Sequence, residues 1–247
     1  MIPMGLLSDM KVLYHLTMKP IRGKDHASRM ESFYGGQAEA YDNFRKRLLK
    51  GREELWQLLD VPEDGVWVDM GGGTGANLEN LGERIGGLKK AYVVDLSTSL
   101  LEVASERFKA RGWTNAEAVE ADATTWQPSE GAADVVTFSY SLTMIPDWFA
   151  AVENAVAMLK PGGTIGVVDF YVSRKYPPDG FTRHGWLTRS FWPVWFASDN
   201  VFPSTDHVPF LYRRFDPVEF REHRGKVPYF PILRMPYYVF VGRKPES

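Results

Sequence analysis

Three aspartates in the middle of the sequence each stand at the end of a short apolar run. Asp69 precedes the glycines of VDMGGGTGAN, Asp95 closes AYVVD, and Asp122 follows AEAVEA. A carboxylate accepts hydrogen bonds from hydroxyl and amino groups, and glycines let a backbone turn tightly against a ligand. Together, these residues predict a binding site for a nucleoside-containing cofactor.

The segment that must position these residues alternates short apolar runs with stretches of helical periodicity. This alternation is typical of a doubly wound α/β sheet. We expect strands over 66–68, 91–94, 116–119, 135–138 and 164–170, and helices over 78–85, 100–110 and 149–159.

The glycine loop is compatible with two classes of cofactor. Gly71, Gly73 and Ala76 satisfy the dinucleotide fingerprint G-x-G-x-x-G/A, and an acid, Asp95, lies roughly 20 residues further on. An oxidoreductase is therefore one interpretation of this segment.

Three details favour S-adenosylmethionine instead. Asp69 lies where a carboxylate would repel a diphosphate but would suit an amino-acid group. Gly75 extends the spacing to G-x-G-x-G, and Asp122 follows the third strand, where it can accept from an adenine amino group. With the ending LKPGGTIGVVDF, the region over 61–170 resembles the motif series of class I methyltransferases.

The resemblance implies a Rossmann-like sheet of seven strands and assigns roles by position. It implies that the methionine end of the cofactor is held by Asp69, Gly71, Gly73 and Gly75. The ribose hydroxyls would be held by Asp95 with Leu96, and the adenine by Asp122 with Ala123. Ser139 and Tyr140 then face the methyl group.

Charge is distributed unevenly along the 247 residues. Residues 1–50 hold nine basic against five acidic residues (+4), residues 51–170 eight against nineteen (−11), and residues 171–247 twelve against seven (+5). An acidic middle argues against a nucleic-acid partner, whereas basic flanks suit an anionic membrane surface. The sequence has no cysteine, signal peptide or apolar run long enough to span a bilayer. We expect a cytoplasmic, membrane-peripheral protein.

The N-terminal flank predicts a helical cap over 1–60. Its first part, LLSDMKVLYHLTMKP, can form an interfacial helix, or a helix that docks on the domain. Tyr34 and Tyr41 could close over the cofactor, and Arg52 could reach its carboxylate. Each of these three residues could equally be structural.

The segment HGWLTRSFWPVWFASDNVF concentrates aromatic rings too densely and irregularly for one face of a helix. Together with HASRMESFYGGQAEAYDNFRKRLLKGREELW and VPYFPILRMPYYVFVGRKP, it makes the chain resemble the N-methyltransferases of betaine-lipid synthesis. The resemblance implies a single domain over 1–247, in which residues 171–210 form an aromatic insert or lid after strand five and residues 211–247 form C-terminal strands. The chain would be either a stand-alone enzyme or one domain of a larger one.

The implied reaction is triple N-methylation of diacylglycerylhomoserine, with S-adenosylhomocysteine as by-product. Its partners would be a lipid at a membrane surface and the 3-amino-3-carboxypropyl transferase that makes this lipid. Aromatic faces attract a quaternary ammonium, and an arginine fork suits the substrate carboxylate. The candidates are Trp186, Trp192, Trp195 and Tyr140 for the cation, Arg213, Arg214 or Arg183 for the carboxylate, and His184, Asp147 or Tyr34 for the proton.

No metal is expected, because methyl transfer needs none. Two alternatives remain open, namely an N-methyltransferase of another amino lipid such as phosphatidylethanolamine, and a non-catalytic module that binds the cofactor.

Overall fold

The computed structural model describes residues 48–197, 200–227 and 230–246. Their core is one seven-stranded sheet in the order β3-β2-β1-β4-β5-β7-β6. The strands are β1 Val66–Met70, β2 Lys90–Asp95, β3 Ala116–Glu120, β4 Ala133–Ser139, β5 Leu159–Phe170, β6 Asp216–Val227 and β7 Phe230–Arg243.

Strand direction follows the connections. β1 to β5 are parallel to one another, whereas β7 is antiparallel to both β5 and β6. The order reverses at β1, where β2 lies on one side and β4 on the other. Ligands of open α/β sheets bind outside the carboxyl ends of the strands at such a reversal. The predicted seven-stranded, doubly wound Rossmann-like fold is confirmed.

Helices cover both faces of the sheet. They are α1 Arg52–Leu58, a 3₁₀ segment Ala76–Gly87, α2 Thr98–Arg111, α3 Trp148–Met158, α4 Trp186–Ala197 and α5 His207–Arg214. One core cluster contains buried residues of α1, α2 and α4, and a second contains buried residues of α3 and α5. Adjacent residues of β5 enter opposite clusters, because side chains alternate along a strand. Val168 belongs to the first cluster and its neighbour Val167 to the second.

All five predicted strands form, with ends extended by up to five residues, and so do the three predicted helical segments. The segment over 78–85 is a 3₁₀ helix interrupted at Gly82, whose φ of 59° and ψ of −133° are not helical. In the described part of the chain no helix combines the length and the apolar character that a membrane span requires.

The aromatic segment is the main difference from expectation. Trp186–Ala197 is helical, although its rings do not fit one helical face. Trp192 and Phe196, one turn apart, are buried, whereas Trp186 and Val194 are 69% and 77% exposed. The aromatic rings occupy two faces of this helix. One face packs on the sheet and the other meets solvent, which explains why the rings are too dense for a single face.

Candidate active site

A cavity of about 260 Å³ lies at the carboxyl ends of β1, β2, β3 and β4. The switch-point geometry of the sheet creates it, because helices leave in opposite directions from β1 and β4. Seven predicted site residues line it, namely Gly71, Gly73, Asp95, Leu96, Asp122, Ala123 and Tyr140. The topology therefore brings together residues that are up to 69 positions apart in the chain.

The glycine loop forms the floor of this cavity. Gly71 has a φ of 66°, and a Cβ on it would lie 2.5 Å from the Cβ of Ser141. Gly73 has a φ of 57°. Both values belong to the left-handed region that side chains disfavour. The tight turn of this loop therefore requires glycine, and at Gly71 its backbone packs closely against Ser141.

Asp95 connects the glycine loop to the start of α2. Its Oδ2 accepts from the backbone nitrogen of Gly73 at 2.9 Å, and its Oδ1 accepts from that of Ser97 at 3.0 Å. A carboxylate has about four acceptor sites. The backbone therefore orients this carboxylate at the wall of the cavity, where its oxygens are of the type that accepts from the hydroxyls of a ribose.

Asp69 lies beneath the loop and is completely buried. It accepts from Asn77 Nδ2 at 2.9 Å and from Thr137 Oγ1 at 2.8 Å. Burial raises its pKa from 3.8 to about 6, against the opposing effects of these two bonds and of the positive charge of Arg52. Asp69 does not line the cavity, and its contacts support the loop from below.

Asp122 lies at the mouth of the cavity. Both its described hydrogen bonds go to Oδ1, from the backbone nitrogen and the hydroxyl of Thr124 at 2.8 and 2.7 Å. This local turn orients the side chain beside Ala123, which is buried and also lines the cavity. A carboxylate next to an apolar wall suits an adenine ring and its amino group.

Tyr140 has a φ of 57°, an uncommon conformation for a residue with a side chain. Its backbone nitrogen donates to the Val168 oxygen at 2.8 Å, and its hydroxyl donates to the Lys50 oxygen. Burial raises the pKa of this hydroxyl well above its usual value, so it stays protonated. Strained residues of this kind concentrate at functional sites.

Arg52 reaches the same corner from α1. Its Nε donates to Ser139 Oγ at 3.1 Å, and its guanidinium carbon lies 5.6 Å from the centroid of the Tyr140 ring. The structure thus brings the predicted residues Arg52, Ser139 and Tyr140 together at the end of β4. A cation at this position can meet the carboxylate of an amino-acid group.

Sequence reasoning missed most of the segment after β4. Ser141, Met144, Ile145 and Pro146 line the cavity, and so does Asp147, which had been considered only for the proton. The Asp147 side chain also begins α3 by accepting from the Ala150 nitrogen at 3.1 Å. Their position directly behind a predicted strand end is the one signal that could have identified them.

The residues of the cavity fit S-adenosylmethionine better than a dinucleotide. Three aspartates line it, and among the described residues no lysine or arginine does. A diphosphate would meet uncompensated negative charge there. A cofactor with an ammonium group, a ribose and an adenine but no phosphate matches the carboxylates.

His184 lies away from this cavity. It is buried, its Nδ1 accepts from the Ser173 nitrogen at 3.0 Å, and its own backbone nitrogen donates to Ser173 Oγ at 2.8 Å. Burial lowers its pKa to about 4, so the ring is neutral near pH 7. These contacts are those of a structural histidine, and a proton relay through it remains only a prediction.

The predicted substrate residues are dispersed over the fold. Trp192 packs in the core, Trp186 is exposed, and Trp195 is 36% exposed. Arg214 pairs with Glu153 at 2.7 Å, and Arg213 is exposed on α5. None of these five residues lines the cavity. Tyr34 and Tyr41 lie outside the described residues.

Comparison with known sequences identifies the type of domain. Residues 68–163 match the family model described as methyltransferase domain. Demethylmenaquinone methyltransferase of Lactococcus lactis is 24% identical over 82% of this chain and 88% of its own length. The ubiquinone/menaquinone biosynthesis C-methyltransferase UbiE of Pseudomonas fluorescens is 26% identical, and the match spans 66% of each protein.

Comparison with solved structures gives the same fold. The YcgJ protein of Bacillus subtilis superposes with a TM-score of 0.64 at 14% identity, over 80% of this chain and 99% of that one. Phosphoethanolamine N-methyltransferase 2 of Haemonchus contortus was solved with phosphomonomethylethanolamine and S-adenosylhomocysteine. It superposes with a TM-score of 0.65 at 16% identity, over 90% of this chain and 60% of that one.

These lines of evidence agree. The strand order places the glycine loop and the carboxylates at one cavity, that cavity suits a nucleoside cofactor without phosphates, and the segment that builds it matches a methyltransferase domain. The chain is therefore an S-adenosylmethionine-dependent methyltransferase with the class I fold.

Proposed function

We propose that the protein methylates the amino group of a membrane lipid, and that this lipid is diacylglycerylhomoserine, which three transfers convert into its trimethyl betaine. The observation that carries the proposal is a continuous path of aromatic rings from the cofactor cavity to an exposed apolar helix.

The path begins at Tyr140 in the cavity. Its ring centroid lies 4.5 Å from that of Phe170, which stacks on Phe196 at 4.6 Å, and Phe196 stacks on Trp192 at 5.5 Å. Trp192 in turn lies 5.0 Å from Phe191, which is 39% exposed. The interior of α4 is thereby packed directly against the wall of the cavity.

The outer side of α4 is unusually apolar for a protein surface. Trp186, Leu187, Phe191, Val194 and Trp195 are between 36% and 77% exposed on this one helix. Exposed apolar patches of this kind mark interaction sites, and tryptophan is favoured where a membrane meets water. Arg183, just before the helix, is exposed as well and suits anionic head groups.

A second connection joins this region to the cavity. The backbone nitrogen of Phe202, whose side chain is 56% exposed, donates to the Thr143 oxygen at 2.7 Å. Thr143 directly precedes Met144 and Ile145, which line the cavity. The surface that follows α4 and the segment that lines the cofactor cavity are therefore in direct contact.

When bound, S-adenosylmethionine supplies an electrophilic methyl group on a sulfonium. The residues of the chain hold the acceptor close to it and exclude water, for which the apolar side chains of Tyr140, Met144 and Ile145 are suited. The acceptor amine must be neutral. Asp147 is an exposed carboxylate of the cavity lining, and we assign it the role of receiving the proton.

The choice of an amine as acceptor rests on the resemblance to betaine-lipid N-methyltransferases. A second candidate is C-methylation of a lipid-soluble quinol precursor. It is favoured by the similarity to demethylmenaquinone methyltransferase and to UbiE. The exposed face of α4 suits either lipid.

Mass spectrometry distinguishes these candidates. The full-length protein is incubated with S-adenosylmethionine and with vesicles that contain diacylglycerylhomoserine, phosphatidylethanolamine or demethylmenaquinone. We expect mass gains of one, two and three methyl groups on the homoserine lipid alone. Gains on phosphatidylethanolamine alone would mean that the acceptor is this other amino lipid and not diacylglycerylhomoserine. A gain on the quinone alone would establish the second candidate.

The Asp95→Ala variant is the control for this experiment, because it should lose cofactor binding and therefore all gains. If none of the three lipids gains mass while the protein still binds S-adenosylhomocysteine, a lipid acceptor of these classes is rejected.

A further inference from the structure

A second cavity, of about 290 Å³, lies on the opposite face of the sheet from α4. It is bounded by the end of β5, by α5, by β6 and by the segment between Arg174 and Thr182. It shares no lining residue with the cofactor cavity. Methyl transfer at the cofactor cavity does not use this second cavity.

Aromatic rings form much of its wall. Tyr171, Phe181 and Tyr212 line it, and Phe220 supports them from behind. Phe181 and Tyr212 meet edge to face, with centroids 5.2 Å apart and planes at 68°. Rings held at such angles present faces in different directions around one space.

Glu222 places a negative charge in this apolar setting. Its Oε2 accepts from the Thr182 nitrogen at 2.8 Å, whereas its Oε1 is buried and has no hydrogen-bond partner among the described residues. Burial raises the pKa of this carboxyl. The basic residue of the lining, Arg174, is already paired with Asp206 at 2.9 Å. Among the described residues, no cation pairs with the Glu222 carboxylate.

The Tyr171 hydroxyl is a second unsatisfied group. The residue is only 4% exposed, and its oxygen has no hydrogen-bond partner among the described residues. Buried polar atoms are nearly always paired. Tyr171 and Glu222 both line the second cavity, so its apolar wall carries one carboxylate and the ring of one tyrosine from the end of the sheet.

We propose that this cavity is a binding site for an alkylated ammonium cation. The faces of Tyr171, Phe181 and Tyr212 attract such a cation through their quadrupoles, and the Glu222 carboxylate supplies the counter-charge. A methylated ammonium group needs no hydrogen-bond acceptor, which matches a wall that is mainly apolar and carries three aromatic side chains.

The test compares choline with 3,3-dimethylbutan-1-ol, which has the same shape without the charge. Binding to the full-length protein is measured by titration calorimetry without any methyl acceptor, so that its outcome is independent of the proposed function. We expect choline to bind about tenfold more tightly than the neutral alcohol, a typical ratio for a partly desolvated cation against aromatic faces.

Two variants locate the site. Glu222→Gln preserves the acceptor for Thr182 and removes the charge, and Phe181→Leu removes one ring. Each should weaken choline binding about tenfold. The matched control is Glu219→Gln, an equal change of charge on the same strand, which should leave binding unchanged.

Saturating S-adenosylhomocysteine distinguishes the two cavities. Choline binding should persist in its presence, because the two sites share no residue. Equal affinity for choline and for the neutral alcohol, loss of choline binding with S-adenosylhomocysteine, or no binding at all would each overturn the proposal.

Discussion

At the scale of single residues, the carboxylates near the cofactor differ in burial, and burial decides what each can do. Asp95 and Asp122 line the cavity, whereas Asp69 is completely enclosed. The first two can therefore bind the cofactor directly. Asp69 acts on the glycine loop, since a Cβ on Gly72 would lie only 2.7 Å from its Oδ2.

Asp95→Ala should weaken binding of S-adenosylhomocysteine by roughly 10- to 100-fold, because hydrogen bonds to a charged group contribute about 1.5–3 kcal/mol. The variant also releases the Gly73 nitrogen. Calorimetry measures the affinity, with Glu117→Ala on β3 as a control that should bind normally. Unchanged affinity in Asp95→Ala would remove Asp95 from the cofactor site.

Asp69 should make stability depend on pH. Its pKa is higher in the folded protein, about 6, than the ordinary 3.8, so the folded state binds more protons between these values. The free energy of unfolding should therefore fall as pH rises from about 4 to 6, by roughly 3 kcal/mol from this group. Asp169, with a pKa raised by burial to about 7, adds a fall that continues to higher pH.

Urea unfolding between pH 4 and pH 8 measures this effect. Asp69→Asn retains a side chain that can pair with Asn77 and Thr137, and it should flatten the lower part of the profile. A variant that follows the wild-type profile over the whole range would show that Asp69 does not carry a raised pKa.

At the scale of elements, α4 has two apolar sides with different consequences. Trp192 and Phe196 contribute to the core beside Phe170, while the opposite side of the helix meets solvent. A substitution on one side should therefore change stability, and one on the other should change interactions.

The double variant Trp186→Ser/Val194→Ser should lower sedimentation with lipid vesicles about tenfold or more, because each apolar side chain contributes roughly 1.5–3 kcal/mol when it is buried. Affinity for S-adenosylhomocysteine should not change. Trp192→Ala is the contrasting variant, for which we expect a loss of about 3–5 kcal/mol in the free energy of unfolding. Normal vesicle binding by the double variant would exclude α4 as the membrane contact.

At the scale of the whole molecule, charge and apolar surface are arranged unequally. The cofactor cavity is acidic, whereas the sequence after residue 170 is net basic. Arg183 is exposed immediately before α4, and Arg213 is exposed on α5, which packs on the opposite face of the sheet. An orientation that places α4 on a membrane would therefore bring Arg183, but not Arg213, near the lipid.

Arg183→Gln should weaken binding to anionic vesicles about fivefold at low salt, since one basic residue near such a surface contributes about 1 kcal/mol. The difference from wild type should shrink as salt rises, because exposed charges are screened. Arg213→Gln is the matched control and should bind as wild type. Equal weakening by both variants would mean that the membrane does not select the α4 face.

The local pattern was sufficient to predict the α/β core. Alternating apolar runs, glycines and strand-end aspartates depend on residues close together in the chain, and five strands and three helical segments form where they predict. The parts of the site carried by these strand ends, such as Asp95 and Tyr140, were accessible for the same reason.

Only the tertiary structure decided which surfaces meet. Met144 and Ile145 became cavity walls, Trp192 became core, and Tyr171, Phe181 and Glu222 came together from separate segments to form a second cavity. Burial and pairing are properties of neighbours in space. A sequence read along the chain shows that a residue is aromatic or acidic, but the packing of distant elements determines whether it faces a core, a ligand or water.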